Sequence, residues 1–495
     1  MSESQQFVLL PTRGVEANAT TSAASLDGFL RSLDAVRTVA ASKSFAVTAG
    51  IGGSKPSFRV LDSVRENGAK LLEMSVEMAN AFKVAQPGAR LIPVVWFKLV
   101  RHEREVLARI KAAATALKTV VTVVDKATGK PVRGAKVVAF TDFTKGIGAQ
   151  GVSNASGLVR LNLGAAAKVD RLYVYGPTGY WGAFKKSVAV GNITIGLEAI
   201  DLAFGDCVRH FYGAGGASDG KDVTVGIVDT GVGPHPDLTV NGGENTVFGE
   251  NATDFADNGD MHGTHVAGIV AASGSPPTGI RGIAPGVRLR SYRVFGKGAT
   301  GASNFAIAKA INRAAADGCD LINLSLGGGA SDPATASAIH DARQMGAVVL
   351  AATGNDDRSP VSFPAADPHC IAVSALGRKG TFPKGSVEEA DILGPFGFDK
   401  ADFIAAFSNI GGPVDLTGPG VGVLSTVLGG HAPMSGTSMA CPAVTGIAAR
   451  LLSRRPAVIA LARGQARSDE IARIVLSAAV RMGFPPECEG SGLPR

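Results

Sequence analysis

Three short segments of this sequence carry the side chains that nucleophilic catalysis combines, namely a carboxylate, an imidazole and a hydroxyl. Asp229 stands in VDTGV, directly after an apolar run, where a glycine lets the backbone turn sharply. His262 opens the helical pattern HGTHVAGIVAA. Ser438 lies in a Gly-Thr-Ser turn that leads into an apolar helix. Backbone N–H groups and the helix dipole at such a turn favour negative charge, so a nucleophilic oxygen and an oxyanion are both helped there.

Each of these side chains also has a structural interpretation when it is taken alone. An isolated Asp-Thr-Gly is more often a turn cap, and a Gly-Thr-Ser turn is an ordinary helix cap. His262 and His265 have the residue type of metal ligands, but the Glu of an HExxH zinc motif is absent. The interpretation therefore depends on the three segments taken together.

The elements that must position these side chains begin after residues 219–221. Four apolar runs, at residues 223–228, 289–294, 321–326 and 347–352, alternate with helical patterns. Strands that are buried on both faces are apolar on both, so this pattern predicts an α/β fold with a parallel sheet between two layers of helices. Chemistry in such sheets lies at the carboxyl ends of the strands, which is where Asp229 stands.

The order Asp, His, Ser, with each residue inside an extended motif, resembles the subtilisin-like serine proteases. The resemblance continues through HPDL (235–238), GIAPGVRLRSYRVF (282–295), INLSLGG (322–328), AATGN (351–355), FPAA (363–366) and FSNIGGPVDLTGPG (407–420). It implies a subtilisin-like three-layer fold with a mostly parallel sheet over residues 200–495. It also implies a serine endopeptidase that acts on proteins or peptides through an acyl-enzyme.

The resemblance assigns roles to individual residues. Ser438 would be the nucleophile and His262 the general base, with Asp229 orienting the imidazole; the Asn355 side-chain amide and the Ser438 backbone N–H would hold the oxyanion. Asp356 would lie near the pocket for the residue before the scissile bond, where it either favours a basic residue or is a solvated loop acid. Segments expected to pair with the substrate backbone comprise Ala299, Thr300, Gly301, Ser325, Leu326 and Gly327.

Calcium is the one metal that the resemblance brings into question. Asp237 in HPDL matches an acidic calcium ligand of many members of the family. The loop expected to complete the site reads SGSPPTGIRG (273–282) and has no Asn or Asp oxygen donors, which Ca²⁺ prefers. We therefore expect no cofactor and no bound metal, and calcium is doubtful.

Two further regions precede the catalytic part. Residues 1–115 read as mixed α/β, with strands at 7–10, 58–61 and 91–99 and a helical run at 69–82, compatible with the inhibitory propeptide that this family commonly carries. Residues 116–199 read as a small all-β sandwich of alternating strands and glycine-rich turns. Their DKATG turn (125–129) and NASG turn (154–157) resemble carboxypeptidase-regulatory or transthyretin-like modules.

Composition excludes several other classes of protein. The net charge of +7 comes without a basic run or interleaved aromatic residues, so no nucleic-acid partner is expected. No apolar run has the length of a membrane span, and no secretory signal is visible at the start, which favours a cytoplasmic location. Five cysteines without a CxxC pair argue against a disulfide framework and against a zinc site.

Two other functions remain open at this stage. A binding or scaffold protein could use a protease fold without turnover, although the complete set Asp229, His262, Ser438 and Asn355 argues against it. A regulatory intracellular protease, held inactive by its own N-terminal region, depends only on the absence of a visible signal peptide.

Overall fold

The structure is a computed structural model that describes residues 4–11, 14–15, 58–65, 67–100, 102–110 and 118–495. The region 1–115 therefore lies partly outside the described residues. Within the described part of the chain, no helix has both the length and the apolar character needed to cross a membrane.

The N-terminal region forms an antiparallel four-stranded sheet with the order β2-β3-β1-β4. One face of this sheet packs on a helix through Phe7, Leu72 and Phe82, and the other face packs through Val8 and Leu71 on the catalytic part. The elements of this region are β1 (Ser4–Leu10), β2 (Arg59–Ser63), β3 (Lys70–Ser75), α1 (Val76–Ala85), β4 (Arg90–Pro93) and β5 (Trp96–Leu99).

Two of the predicted elements in this region are wrong in their bounds. The helical run predicted at residues 69–82 is strand β3 in its first half, and the helix begins only after Ser75, whose side chain accepts the Met78 N–H. The single strand predicted at 91–99 is two strands, because β4 pairs with β1 whereas β5 leaves this sheet to pair elsewhere. In both segments, the bounds of the strands are set by pairing with strands that are distant in sequence.

Residues 118–197, together with the short strand at residues 108–109, form two sheets that enclose a core of their own. A three-stranded sheet, β10-β7-β13, faces a five-stranded sheet, β12-β11-β8-β9-β6, across Val121, Leu161, Val137 and Leu172. The strands are β6 (Ala108–Arg109), β7 (Lys118–Asp125), β8 (Lys136–Asp142), β9 (Ile147–Val152), β10 (Leu158–Asn162), β11 (Lys168–Tyr175), β12 (Ala183–Ala189) and β13 (Asn192–Leu197). We call this unit the β-sandwich.

The rest of the chain is built on an eight-stranded sheet with the order β15-β16-β14-β18-β20-β21-β22, in which β23 also pairs with β21. All pairs in this sheet are parallel except β21 with β22. The strands of this part are β14 (Thr224–Asp229), β15 (Val240–Asn245), β16 (Arg288–Arg293), β17 (Ala302–Ser303), β18 (Leu321–Leu324), β19 (Leu326–Gly327), β20 (Val348–Ala352), β21 (Cys370–Arg378), β22 (Asp402–Ile404), β23 (Leu416–Pro419), β24 (Val423–Val427), β25 (Gly430–Met434), β26 (Ala479–Val480) and β27 (Leu493–Pro494).

Helices cover both faces of this sheet, so the catalytic part is a three-layer α/β fold, as expected from the sequence. Val225 and Ile227 of β14 pack in one core cluster with helices α3 and α6, while Val228 packs in another with α4 and α5. The helices are α2 (Cys207–Tyr212), α3 (His262–Ala271), α4 (Asn304–Ala316), α5 (Pro333–Gln344), the 3₁₀ helix Val387–Asp391, α6 (Thr437–Ser453), α7 (Pro456–Ile459), α8 (Gln465–Ser477) and α9 (Pro486–Glu489).

Helix α3 packs closely against its neighbours because it carries glycines on its contact face. A Cβ at Gly268 would lie 2.2 Å from Thr426 Oγ1 and 2.3 Å from Ser425 Oγ. Both hydroxyls donate to backbone carbonyls of α3, at His265 and Thr264. A side chain at position 268 would therefore break hydrogen bonds as well as create a clash.

We predict that Gly268→Ala destabilises the fold by about 1–3 kcal/mol despite the better helix propensity of alanine. Urea unfolding in a Ser438→Ala background, which prevents self-digestion, measures the change. Gly205→Ala is the matched control, because a Cβ there meets nothing within 4 Å. Equal stability of the two variants would contradict the packing argument.

Candidate active site

The carboxylate of Asp229 and the imidazole of His262 form a buried pair. Asp229 is the last residue of β14 and His262 the first of α3, and their side chains are nearly inaccessible to solvent. His262 Nδ1 lies 2.9 Å from Asp229 Oδ1 and 3.1 Å from Oδ2, while the Thr230 N–H donates to Oδ1 at 2.7 Å. A proton on Nδ1 satisfies this contact, which would leave Nε2 to act as the predicted base. Nε2 has no hydrogen-bond partner among the described residues.

Ser438 lies at the start of the buried helix α6. Its Oγ is 2.9 Å from the carbonyl oxygen of Val100 and 3.1 Å from that of Ser325. Pro442 lacks the N–H that would otherwise bond to the Ser438 carbonyl one turn earlier. The Ser325 hydroxyl donates to that carbonyl instead, at 3.0 Å. The backbone at Ser438 is thereby held by Ser325, the residue between β18 and β19.

The side-chain amide of Asn355 points at the same carbonyl oxygen as Ser438. Asn355 Nδ2 donates to Val100 O at 2.9 Å. The orientation of the amide follows from Thr437, whose N–H and Oγ1 both donate to Asn355 Oδ1 at 2.9 Å. Sequence analysis did not identify this positioning residue, although Thr437 is the central residue of the Gly-Thr-Ser turn. The carbonyl of Val100 occupies the place that an oxyanion would take.

Strand β5 of the N-terminal region lies between two edges of the catalytic part. It pairs antiparallel with β19, Leu326 opposite Leu99 and Gly327 opposite Lys98. On its other side it pairs with β17, where Ala302 stands opposite Phe97. An extended segment bound by main-chain pairing on both sides, with its last carbonyl at the nucleophile, has the arrangement of a bound substrate.

Only some of the residues that were predicted to pair with the substrate backbone contact β5. Leu326 and Gly327 pair with it, and the Ser325 carbonyl contacts the nucleophile. A Cβ on Gly301 would lie 3.1 Å from Phe97 O. Ala299 and Thr300 are exposed and do not pair with β5, so substrate pairing by these two residues stays a prediction. The turn at residues 297–300 precedes the paired segment, which starts at Ala302.

Side chains of β5 alternate between the cleft and solvent. Phe97 is buried, with its ring centroid 5.9 Å from that of Phe363, whereas Trp96 is 63% exposed. Asp356 is exposed, and its carboxylate accepts a hydrogen bond from the Asn409 side chain at 2.9 Å. Its role in selecting a basic residue therefore stays a prediction.

A second histidine of α3, His265, is completely buried. His265 Nε2 donates to the carbonyls of Val423 and Ala432, both at 3.1 Å. Burial, together with the neighbouring His262, lowers the pKa of His265 to about 3. This residue holds helix α3 to the β24-β25 hairpin and is not placed as a metal ligand.

The side chains around Asp237 do not fit calcium. Its carboxylate accepts from the Ile280 N–H and from His431 Nε2, both at 2.9 Å. His235 lies beside it, but both ring nitrogens are engaged, Nδ1 by the Asp237 N–H and Nε2 by the Gly430 carbonyl. One carboxylate between two histidines is not the set of six to eight oxygen ligands that Ca²⁺ takes. The expected absence of a metal stays a prediction.

The cysteines take no part in this site. All five lie buried as free thiols. Burial raises the pKa of each thiol, as for Cys319, where it reaches about 12. They pack as small apolar side chains.

A serine beside an amide donor, a carboxylate–histidine pair and a substrate-like strand on a three-layer α/β fold together define a serine endopeptidase. The sequence profile of the subtilase family (Peptidase_S8) matches residues 220–491, more than half of the chain. The chain belongs to the subtilase family, as its motifs predicted, and serine endopeptidase activity is confirmed as its function.

Relatives of this chain are subtilisins and related proteases. It is 35% identical to subtilisin BL of Lederbergia lenta over 238 residues, covering 48% of this chain and 78% of that protein. It is 37% identical to subtilisin DY of Bacillus licheniformis over 247 residues, 49% of this chain and 80% of the relative. A solved structure of a protease from Pseudoalteromonas arctica PAMC 21717 is 29% identical, with a TM-score of 0.48, and covers 59% of this chain and 96% of that one.

These relatives correct the expected location. They are secreted subtilisins, which points to secretion, so the prediction of a cytoplasmic protein is wrong. That prediction depended only on reading the first residues for a secretory signal, which says nothing about the catalytic part.

We predict that Asn355→Ala leaves the fold intact and lowers kcat by about 10²- to 10³-fold, because one oxyanion donor is lost. Peptide turnover by the variant and the wild type measures the loss, and their melting temperatures check the fold. An unchanged kcat in a folded variant would show that this amide does not hold the oxyanion.

We predict a loss of stability in acid that depends on His265. The unfolded chain binds a proton on this histidine near its ordinary pKa of 6.5, whereas the folded chain does so only near pH 3. Stability therefore falls as the pH is lowered from about 6.5 towards 3, by up to about 1.4 kcal/mol per pH unit. His265→Gln should flatten this slope in urea unfolding at a series of pH values, in the Ser438→Ala background. His340→Gln, at an exposed position, is the control; parallel curves for all three proteins would contradict the assignment.

Proposed function

We propose that Ser438, His262, Asp229 and Asn355 carry the peptidase reaction. Ser438 Oγ attacks the carbonyl carbon while its proton passes to His262 Nε2. The negative oxygen of the tetrahedral intermediate is held by the Asn355 amide, and Asp229 stabilises the imidazolium. His262 then gives the proton to the leaving amine, and the acyl-enzyme forms. Water, deprotonated by His262, attacks the ester and restores Ser438.

The position of the Val100 carbonyl is the observation that carries this proposal. Its oxygen lies 2.9 Å from both the Ser438 hydroxyl and the Asn355 amide. The bond to be broken on this arrangement joins residues 100 and 101. The predicted nucleophile and the predicted oxyanion donor therefore meet at one carbonyl group, and such proximity makes attack on its carbon effectively unimolecular.

We further propose that the chain is made as a self-inhibited precursor. Strand β5 fills the groove in which a substrate would pair, so no other peptide can enter while it is bound. The N-terminal sheet adds apolar packing on α4 and α5 and an ion pair between Lys309 and Asp62 at 2.9 Å. These contacts favour retention of the N-terminal region even after the bond is cut.

The proposed cleavage divides the chain ahead of the β-sandwich. The division into residues 1–115, 116–199 and 200–495 stays a prediction, and so does the likeness of the second unit to carboxypeptidase-regulatory or transthyretin-like modules. A cut between residues 100 and 101 releases the N-terminal sheet and leaves the β-sandwich joined to the catalytic part. The β-sandwich is therefore a part of the processed enzyme.

We predict that the purified wild-type chain is cut after Val100 and that Ser438→Ala remains at full length. Intact-mass spectrometry of both proteins locates the cut, and a fluorophosphonate should add covalently to the wild type alone. Ser453→Ala, at the far end of the same helix, is the matched control and should process and label like the wild type.

Two outcomes would contradict this function. Trimming of Ser438→Ala at the same bond would assign the cleavage to another protease. A wild-type chain that melts cooperatively but neither processes nor labels, even after limited proteolysis, would support the alternative of an inert scaffold.

A further inference from the structure

The leaving-group side of the proposed scissile bond opens into a cavity of about 90 Å³. His262 and Met439 line this cavity from the catalytic part, and Tyr173 and Tyr175 of β11 line it from the β-sandwich. The β-sandwich thus borders the groove on the side that follows the scissile bond, which we call the primed side. Acidic side chains of the 3₁₀ helix, Glu388 and Asp391, close the cavity between these walls.

The second primed residue, His102, is held by one of these acids. His102 Nε2 lies 2.6 Å from Asp391 Oδ1, and the His102 ring centroid is 4.0 Å from that of Phe407. Asp391 is buried. A buried carboxylate that loses its hydrogen-bond donor is left unsatisfied, so this position discriminates strongly between occupants.

The fourth primed residue, Arg104, is held by a second acid. Its guanidinium makes two parallel hydrogen bonds to Asp357, at 2.7 and 2.8 Å. This fork matches the geometry of a carboxylate. The Asp357 side chain is 55% exposed, so the contact is weaker than the buried one at Asp391.

The backbone of the same segment lies along the β-sandwich. The Arg104 N–H donates to the Tyr175 hydroxyl at 2.7 Å, and the Val106 N–H donates to Gln150 Oε1 at 2.9 Å. Strand β6 then pairs in parallel with β9. The β-sandwich therefore supplies partners for the main chain, and its Lys136 also pairs with the Glu103 and Glu105 side chains. Asp391 and Asp357 contact the side chains of His102 and Arg104.

We propose that Asp391 and Asp357 form two recognition subsites that select basic, hydrogen-bonding side chains at the second and fourth primed positions of protein substrates, with the β-sandwich as the outer wall of the groove. This inference rests on the proposed function, because it takes the bond between residues 100 and 101 as scissile. A third acid, Glu388, lines the adjacent cavity and has one carboxylate oxygen without a hydrogen-bond partner among the described residues. The primed side thus presents one carboxylate to residue 102 and another to residue 104, while Glu103 between them pairs with Lys136 of β8 at 3.0 Å.

Internally quenched peptides test this proposal on the self-processed enzyme. The parent peptide has the sequence of residues 97–104, Phe-Lys-Leu-Val-Arg-His-Glu-Arg, and is compared with peptides that carry Phe or Ala in place of His and Ala in place of the last Arg. Phe retains a ring that can face Phe407 and removes the nitrogen that hydrogen-bonds to Asp391. We expect kcat/KM to fall by about tenfold or more without the imidazole and by about two- to fivefold without the guanidinium.

Variants of the enzyme assign each preference to its carboxylate. In Asp391→Asn the ratio of kcat/KM for the His and Ala peptides should approach one, while the preference for Arg is retained; Asp357→Asn should show the reverse. Glu389→Gln, on the same 3₁₀ helix, is the matched control and should retain both ratios. If the enzyme's own residues 101–110 still occupy the groove, they compete equally with every peptide and leave these ratios unchanged.

The outcomes separate this proposal from the proposed function. Equal cleavage of the His, Phe and Ala peptides by the wild type overturns the subsites while the catalytic assignment stands. Preferences that persist in Asp391→Asn and Asp357→Asn also overturn them. Failure of the processed enzyme to cut any peptide after the valine overturns the proposed function and this inference with it. The wild-type ratios need no variant, so a misfolded Asp391→Asn does not affect the test.

Discussion

A carboxylate with no exposure to solvent, that of Asp229, is the constraint on which the rest of the site depends. A charge in that position is tolerated only where hydrogen bonds replace water, and here His262 and the Thr230 N–H supply them. To bring His262 that close, the start of α3 must approach the end of β14. A Cβ at Gly263 would lie 2.3 Å from the Gly231 carbonyl, so only glycine fits there. The contact between Asp229 and His262 therefore requires the close packing of α3 against the end of β14.

The nucleophile depends on a second long-range arrangement. Helix α6 is buried over nearly its whole length and fixes Ser438 at its first turn. Because Pro442 has no N–H, the Ser438 carbonyl is available to accept a hydrogen bond from the Ser325 hydroxyl. This bond connects Ser438 to the strand edge that pairs with β5. Thr437 then turns the amide of Asn355 towards the same point. Nucleophile, oxyanion donor and substrate edge are thus positioned by neighbouring residues of two segments.

Much of this site could be predicted from sequence because its parts are local. Asp229, His262 and Ser438 each lie at or next to the end of an element, and Asn355 follows β20 by three residues; each stands inside a motif that is readable without the fold. The errors concern pairing over long distances. Residues 70–75 form a strand because β1 and β2 flank them, and residues 91–99 divide into β4 and β5 because the two halves pair with different strands. The presence of β5 in the cleft depends on contacts more than two hundred residues apart, which no local pattern encodes.

The two sides of the cleft contact a bound chain through different interactions, main-chain pairing on one side and side-chain contacts on the other. On the side before Val100, recognition is mainly main-chain pairing with β17 and β19, which tolerates many sequences apart from the apolar position filled by Phe97. On the other side, Asp391 and Asp357 contact side chains whose charge they must match. Main-chain pairing supplies affinity, while a buried carboxylate penalises a wrong occupant. On the proposed function, selectivity among substrates therefore resides on the leaving-group side, where the β-sandwich adds a wall to the subtilase fold.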